Sequence, residues 1–156
     1  MNKFVSISSN EPSKKTQEII IPTEQKFKLL LLKSLGKNYK IMKSRNNFNP
    51  LDFCIINKDN LKIVYLEHKK RSGEKNNYKS VIINYCKLSQ MERNYQNSIM
   101  IFEYDNLDFL MYIKYDKSFL HYDTRKVKSQ DVIFLDNENC SFGYNKLIKE
   151  IILCLK

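Results

Sequence analysis

The sequence predicts an α/β protein with a central mixed β-sheet flanked by helices. Two observations point there. The segments Leu51–Asn57 and Leu61–Lys69 are short, close together and apolar on both faces, the mark of central strands buried on two sides. Helical spacing frames the chain, in Thr23–Leu35 near one end and Tyr144–Leu155 at the other. At 156 residues and 42% hydrophobic, the chain is sized for one domain with a real core. Residues 1–21 read as a flexible N-terminal arm and 22–156 as the domain.

In order, Thr23 can cap a helix that runs to Leu35 and stops at Gly36. Tyr39–Ser44 alternates as a strand, and a loop to Pro50 follows. The two central strands come next, joined by a tight turn at Asp59-Asn60. A basic loop, Lys70–Lys79, leads to a helix expected from Ser80 to about Arg93, with Val81, Tyr85 and Leu88 on one face. Ser98–Tyr104 and Asp108–Tyr115 read as strands around a turn at residues 105–107. Lys117–Ser129 is mixed, Asp131–Leu135 is a short strand, and the last helix buries Leu147, Ile148, Ile151, Ile152 and Leu155.

Composition excludes several classes. No apolar run approaches the roughly 18 residues of a membrane span, and the N-terminus has no secretory pattern, so an intracellular protein of cytoplasm, nucleus or virion is expected. Cys54, Cys86, Cys140 and Cys154 form no CxxC pair, and His68 and His121 lie far apart, which removes zinc chemistry and leaves buried free thiols. Net charge is +10, from 27 basic against 17 acidic side chains, and only four of the basic ones are Arg. Such charge either keeps the protein soluble or meets a polyanion. The absence of Ala beside abundant Lys, Asn, Ile and Tyr suggests an AT-rich genome, such as that of a virus or mobile element.

The chemistry concentrates in Asn49-Pro50-Leu51-Asp52 and Tyr65-Leu66-Glu67-His68-Lys69. A two-residue turn at Asp59-Asn60 pairs residues whose numbers sum to 119, setting Cys54 against Tyr65 and Asp52 against Glu67. Directly opposed side chains share a sheet face. Lys69, two residues beyond Glu67, shares it too. Two neighbouring carboxylates on a buried strand repel and lose hydration, and a hard divalent cation relieves both penalties. Mg²⁺ takes few carboxylates and keeps waters for a phosphate substrate. An adjacent ammonium can orient a water and offset charge growing on phosphorus. Asp, Glu and Lys so placed suit phosphodiester hydrolysis.

Pro50-x-Asp52 with Glu67-x-Lys69 resembles the PD-(D/E)XK nuclease superfamily, which includes restriction endonucleases and Holliday-junction resolvases. The resemblance spans residues 23–104, where the element order follows the superfamily's α-β-β-β-α-β core, and it departs only in the Leu51 between Pro and Asp. It implies a restriction-endonuclease-like fold and a Mg²⁺- or Mn²⁺-dependent endonuclease acting on duplex or branched DNA, in several members as a homodimer. It further implies that Asp52, Glu67 and the His68 carbonyl bind the metal and that Lys69 serves the attacking water. Glu24 either completes that site, as in resolvase-like members, or sits favourably at a helix N-terminus. Lys87 and Gln90, three apart on the second helix, either face the site and the DNA or are solvated surface.

Lys70, Arg71, Lys75 and Lys79, which follow the motif directly, are expected to contact phosphates without reading sequence. Arg125-Lys126-Lys128 is a second basic cluster, either of the same kind or simply solubilising. His68 should point away from Glu67 against a helix and be structural. The competing reading is a catalytically inactive nucleic-acid-binding or assembly module of the same fold, as in a structural protein of a virus or mobile element.

Overall fold

Local periods explain most elements of the chain, and pairing between distant strands explains the remainder. The computed structural model describes residues 4–6, 23–44, 51–71, 80–104 and 110–156. The chain begins with β1 (Phe4–Ser6), α1 (Thr23–Leu35), β2 (Tyr39–Ser44), β3 (Phe53–Asn57) and β4 (Ile63–Lys70). It continues through β5 (Ser80–Asn84), α2 (Tyr85–Asn94), β6 (Ser98–Glu103), β7 (Met111–Lys114) and β8 (Arg125–Val127). It closes with β9 (Gln130–Asp136), β10 (Ser141–Phe142) and α3 (Tyr144–Cys154).

A seven-stranded mixed sheet has the order β1-β2-β3-β4-β6-β7-β10. Its neighbours are antiparallel except β4 and β6, which run parallel. Parallel neighbours need a crossover connection, and β5 with α2 supplies it. Phe27 and Leu31 of α1 and Leu147 and Ile151 of α3 pack on one sheet face, against Phe53, Ile55, Val64 and Leu66. The other face, with Met100 and Phe102, is covered by Leu88 and Met91 of α2 and by a second sheet ordered β5-β9-β8. The main sheet is therefore buried on both sides, and every residue of β6 is buried.

The single helix expected from Ser80 is instead a strand followed by a helix. Ser80–Asn84 alternates in burial, with Val81 and Ile83 inward, and pairs along its whole length with β9. Its β-branched residues suit a pleated half-buried surface better than a helix turn. The helix begins one strand later because Asn84 is extended (φ −67°, ψ 128°) and its side chain accepts the Cys86 N–H at 2.8 Å. Asn84→Ala removes that acceptor and is expected to lower stability by about 1 kcal/mol, read by denaturant unfolding; Asn84→Asp should restore most of it.

The β3–β4 register is the one whose pairs sum to 119: Phe53 with Leu66, Cys54 with Tyr65, Ile55 with Val64 and Ile56 with Ile63. The turn differs from the expected two-residue one. Asn57 N–H bonds the Lys62 carbonyl (2.9 Å), and Leu61 N–H returns to the Asn57 carbonyl (2.8 Å) with Leu61 at φ 63°. Asn57 and Asn60 side chains take the Asp59 and Lys62 N–H groups and both donate to the Leu155 carbonyl at 2.9 Å. Short polar side chains thus replace backbone partners in a longer loop, and the strand register is unaffected.

All four cysteines are free. Burial pushes the Cys54 thiol up to about 12, as suits an inert core group; Cys86, in contrast, is exposed. Among the described residues, no helix is long and apolar enough to cross a membrane.

Candidate active site at the open end of the central hairpin

β4 outruns β3 at the open end of their hairpin, and that overhang builds the site. The ladder stops at Phe53–Leu66. Asp52 N–H donates to the same Leu66 carbonyl (3.0 Å), so Asp52 does not stand directly across from Glu67 as the register alone predicts. Past that point the β3–β4 ladder, as far as the described residues go, offers His68 N–H no further rung, and a buried N–H requires an acceptor. The Asp52 carboxylate supplies it, Oδ2 accepting from His68 N–H at 2.7 Å. Asp52 is thereby fixed beside Glu67 by a side-chain bond rather than by a ladder position.

Glu67 is buried, with 6% of its surface exposed. Burial and then the Asp52 charge push its carboxyl up to about 7, against the opposing pull of Lys87 and Lys69. Lys87, from α2, forms an ion pair with Glu67 Oε1. Burial, and after it the Lys87 ammonium, hold Lys69 below the ordinary lysine range. Glu67, Lys69, Asn84, Lys87 and Phe102 line one small cleft between β4, β6 and the start of α2. Glu67, Lys69 and Lys87 therefore meet on the sheet face that carries α2, and Asp52, held by the His68 N–H, is close enough for its charge to act on Glu67 and Lys69.

His68 points the other way, as strand alternation requires. Its ring stacks on Phe27 of α1 (centroids 4.5 Å apart, 14° between planes), and Nε2 lies 2.7 Å from Glu103 Oε2. Both residues are buried. The imidazole lies against a helix on the face opposite Glu67, as expected, and its partner Glu103 was not singled out from the sequence. The only hint was one acid closing the apolar run Ser98–Phe102.

The other expected residues divide. Lys87 reaches the site, whereas Gln90 on the same helix is exposed and does not line the cleft. Lys70 is exposed at the end of β4. Arg71 turns inward rather than outward to a ligand: Nη2 donates to the Ile82 carbonyl (3.3 Å), and the guanidinium lies 5.5 Å from the Phe102 ring centroid. Physically it bridges the end of β4 to β5. Glu24 opens α1, but its side chain lies outside what is described, and Pro50, Lys75 and Lys79 lie outside the described residues.

Among the described residues, no three His, Cys, Asp or Glu side chains gather as a metal cluster. A Mg²⁺-like ion needs fewer, since one or two carboxylates with waters suffice. Along β4, Tyr65 and Arg71 bond toward β6, so the intervening His68 directs its backbone toward the β3 side, where Asp52 sits. Asp52, Glu67 and that carbonyl are all oxygen donors, the kind a hard cation takes. No protein-family model matches the chain, and a search of curated proteins found no match.

Proposed function

We propose that this chain is a divalent-metal-dependent endonuclease of the PD-(D/E)XK type, hydrolysing phosphodiester bonds in DNA. The observation that carries the reading is the Asp52–Glu67–Lys69 cluster at the overhanging end of β4, where burial and the Asp52 charge strain the Glu67 carboxylate. The sheet order β2-β3-β4-β6, with α1 before it and α2 in the parallel crossover, supports the same assignment.

Asp52, Glu67 and the His68 carbonyl would hold Mg²⁺ or Mn²⁺. When bound, the ion supplies Lewis acidity toward a phosphate oxygen and a more acidic water. Lys69 orients the attacking water and offsets negative charge developing on the phosphate. Lys87 neutralises Glu67 in the free protein. His68 takes no proton in the reaction, since its ring faces the opposite side of the sheet, on Phe27.

The Lys87–Glu67 pair also favours a second reading, a nucleic-acid-binding or assembly module, because it satisfies the carboxylate with no metal. Incubation of the protein with supercoiled and branched DNA, in Mg²⁺ or Mn²⁺ and in EDTA, separates them. Cation-dependent nicking is expected, slowed about 10²- to 10³-fold in Lys69→Met. Full activity in Lys69→Met would overturn the hydrolase. DNA binding without cleavage in either cation would leave the module.

A further inference from the structure

A polar row crosses the outer face of the second sheet and starts at the cleft. Antiparallel partners share a face, and the registers set Asn84 against Val132 and Val132 against Arg125. Gln130, two residues before Val132, is on that face as well. The opposite face carries Val81, Ile83, Ile133 and Leu135, buried against the main sheet, so the Asn84–Gln130–Arg125 face is turned away from the main sheet, with Val132 buried between these side chains and Gln130 and Arg125 exposed. Strands stand about 4.8 Å apart, which sets β8 roughly 10 Å from β5 and the cleft edge.

The row is held in place. Asn84 Nδ2 donates to Gln130 Oε1 at 3.0 Å, and the Arg125 guanidinium lies 4.9 Å from the Phe134 ring centroid on the same face. Beyond Arg125, the chain turns through Lys128 and Ser129 at φ 50° and 67°. Both central residues of a type I′ turn take positive φ, and Asn-Gly does so most easily. Lys128 there carries a conformational cost on the order of 1 kcal/mol, and it sets an exposed ammonium at the hairpin tip. Lys126 differs. It stands against Asp131 on the opposite face, and its ammonium pairs with that carboxylate at 3.0 Å. The basic cluster thus presents two cations and neutralises the third.

We infer that the outer face of the β8–β9 hairpin is a nucleic-acid backbone track, on which Arg125 and Lys128 each meet a phosphate of the strand entering the cleft. The choice of ligand rests on the proposed nuclease function. The spacing suits it, since roughly 10 Å is about three steps of a duplex strand.

Fluorescence anisotropy with a labelled DNA duplex, in EDTA to prevent cleavage, tests this between about 50 and 200 mM salt, where phosphate contacts dominate affinity. Arg125→Gln and Lys128→Asn, the latter chosen to retain the turn, should each reduce the slope of log affinity against log salt by about 0.9. Lys126→Gln should leave it unchanged. Unaltered slopes in the first two variants overturn the track, as does an equal effect from Lys126→Gln or failure of the unmodified protein to bind the duplex at the lowest salt. The two ideas fail separately: loss of the hydrolase reading in the cleavage assay leaves these slopes untouched, and flat slopes leave cleavage untouched.

Discussion

Glu67→Gln is expected to lower cation-dependent DNA cleavage on the order of 10³-fold, since it removes a charged ligand from the ion and a preorganised charge from the site. The same substitution has a consequence for stability that needs no substrate. The Glu67 carboxyl lies at about 7 in the folded protein, against an ordinary value of 4.5, because burial and Asp52 disfavour its charge. A carboxyl raised by folding binds its proton more tightly in the native state. Its contribution is therefore fully present below the unfolded value and is lost as pH rises through the folded one. Metal-free protein should lose on the order of 3 kcal/mol from this group between about pH 4.5 and pH 8. Glu67→Gln should flatten that part of the profile and be the more stable protein at the alkaline end. Mg²⁺ or Mn²⁺ should raise the stability of the unmodified protein there and not that of the variant. Denaturant titrations across this range, with and without Mn²⁺, measure all three; a flat profile for the unmodified protein would remove the strained carboxylate from the argument.

His68→Ala is expected to cost about 3 kcal/mol or more, because removing one member of a buried pair leaves the other unpaired and desolvated. Glu103, 4% exposed, would lose its Nε2 partner at 2.7 Å, and Phe27 would lose the ring stacked on it. The double variant His68→Ala/Glu103→Ala should recover part of the loss, since no orphaned carboxylate remains. Urea unfolding of the four proteins gives the coupling energy directly. Any residual cleavage by folded His68→Ala would agree with a ring that serves packing; a single variant as stable as the unmodified protein would refute the buried pair.

The central hairpin was legible because its information is local. Apolar residues on both faces of Leu51–Asn57 and Leu61–Lys69 mark buried strands, and the observed loop Lys58–Leu61 is centred on the same Asp59-Asn60 as the expected turn, so the 119 register is kept. That is why the expected turn could be wrong while Cys54 still met Tyr65. The Ser80 segment misled because Val81, Tyr85 and Leu88 also fit a helical period. What makes Ser80–Asn84 a strand is β9, about fifty residues further on. Lys87 could be placed on a helix face from spacing, but its meeting with Glu67 depends on how α2 lies across the sheet.

Residue order by itself settled the mixed α/β class, the alternation that parts His68 from Glu67 and Lys69, and the neighbourhood of Asp52 and Glu67. These follow from backbone periods of two and 3.6 residues, which act over short distances. Only the tertiary structure decided that Asp52 reaches the site through the His68 amide, that Lys87 closes it, that Glu103 holds His68, and that a second sheet covers this face. The first three depend on a polar or charged group losing water and the last on apolar strand faces meeting, and both are settled only when distant segments pack together.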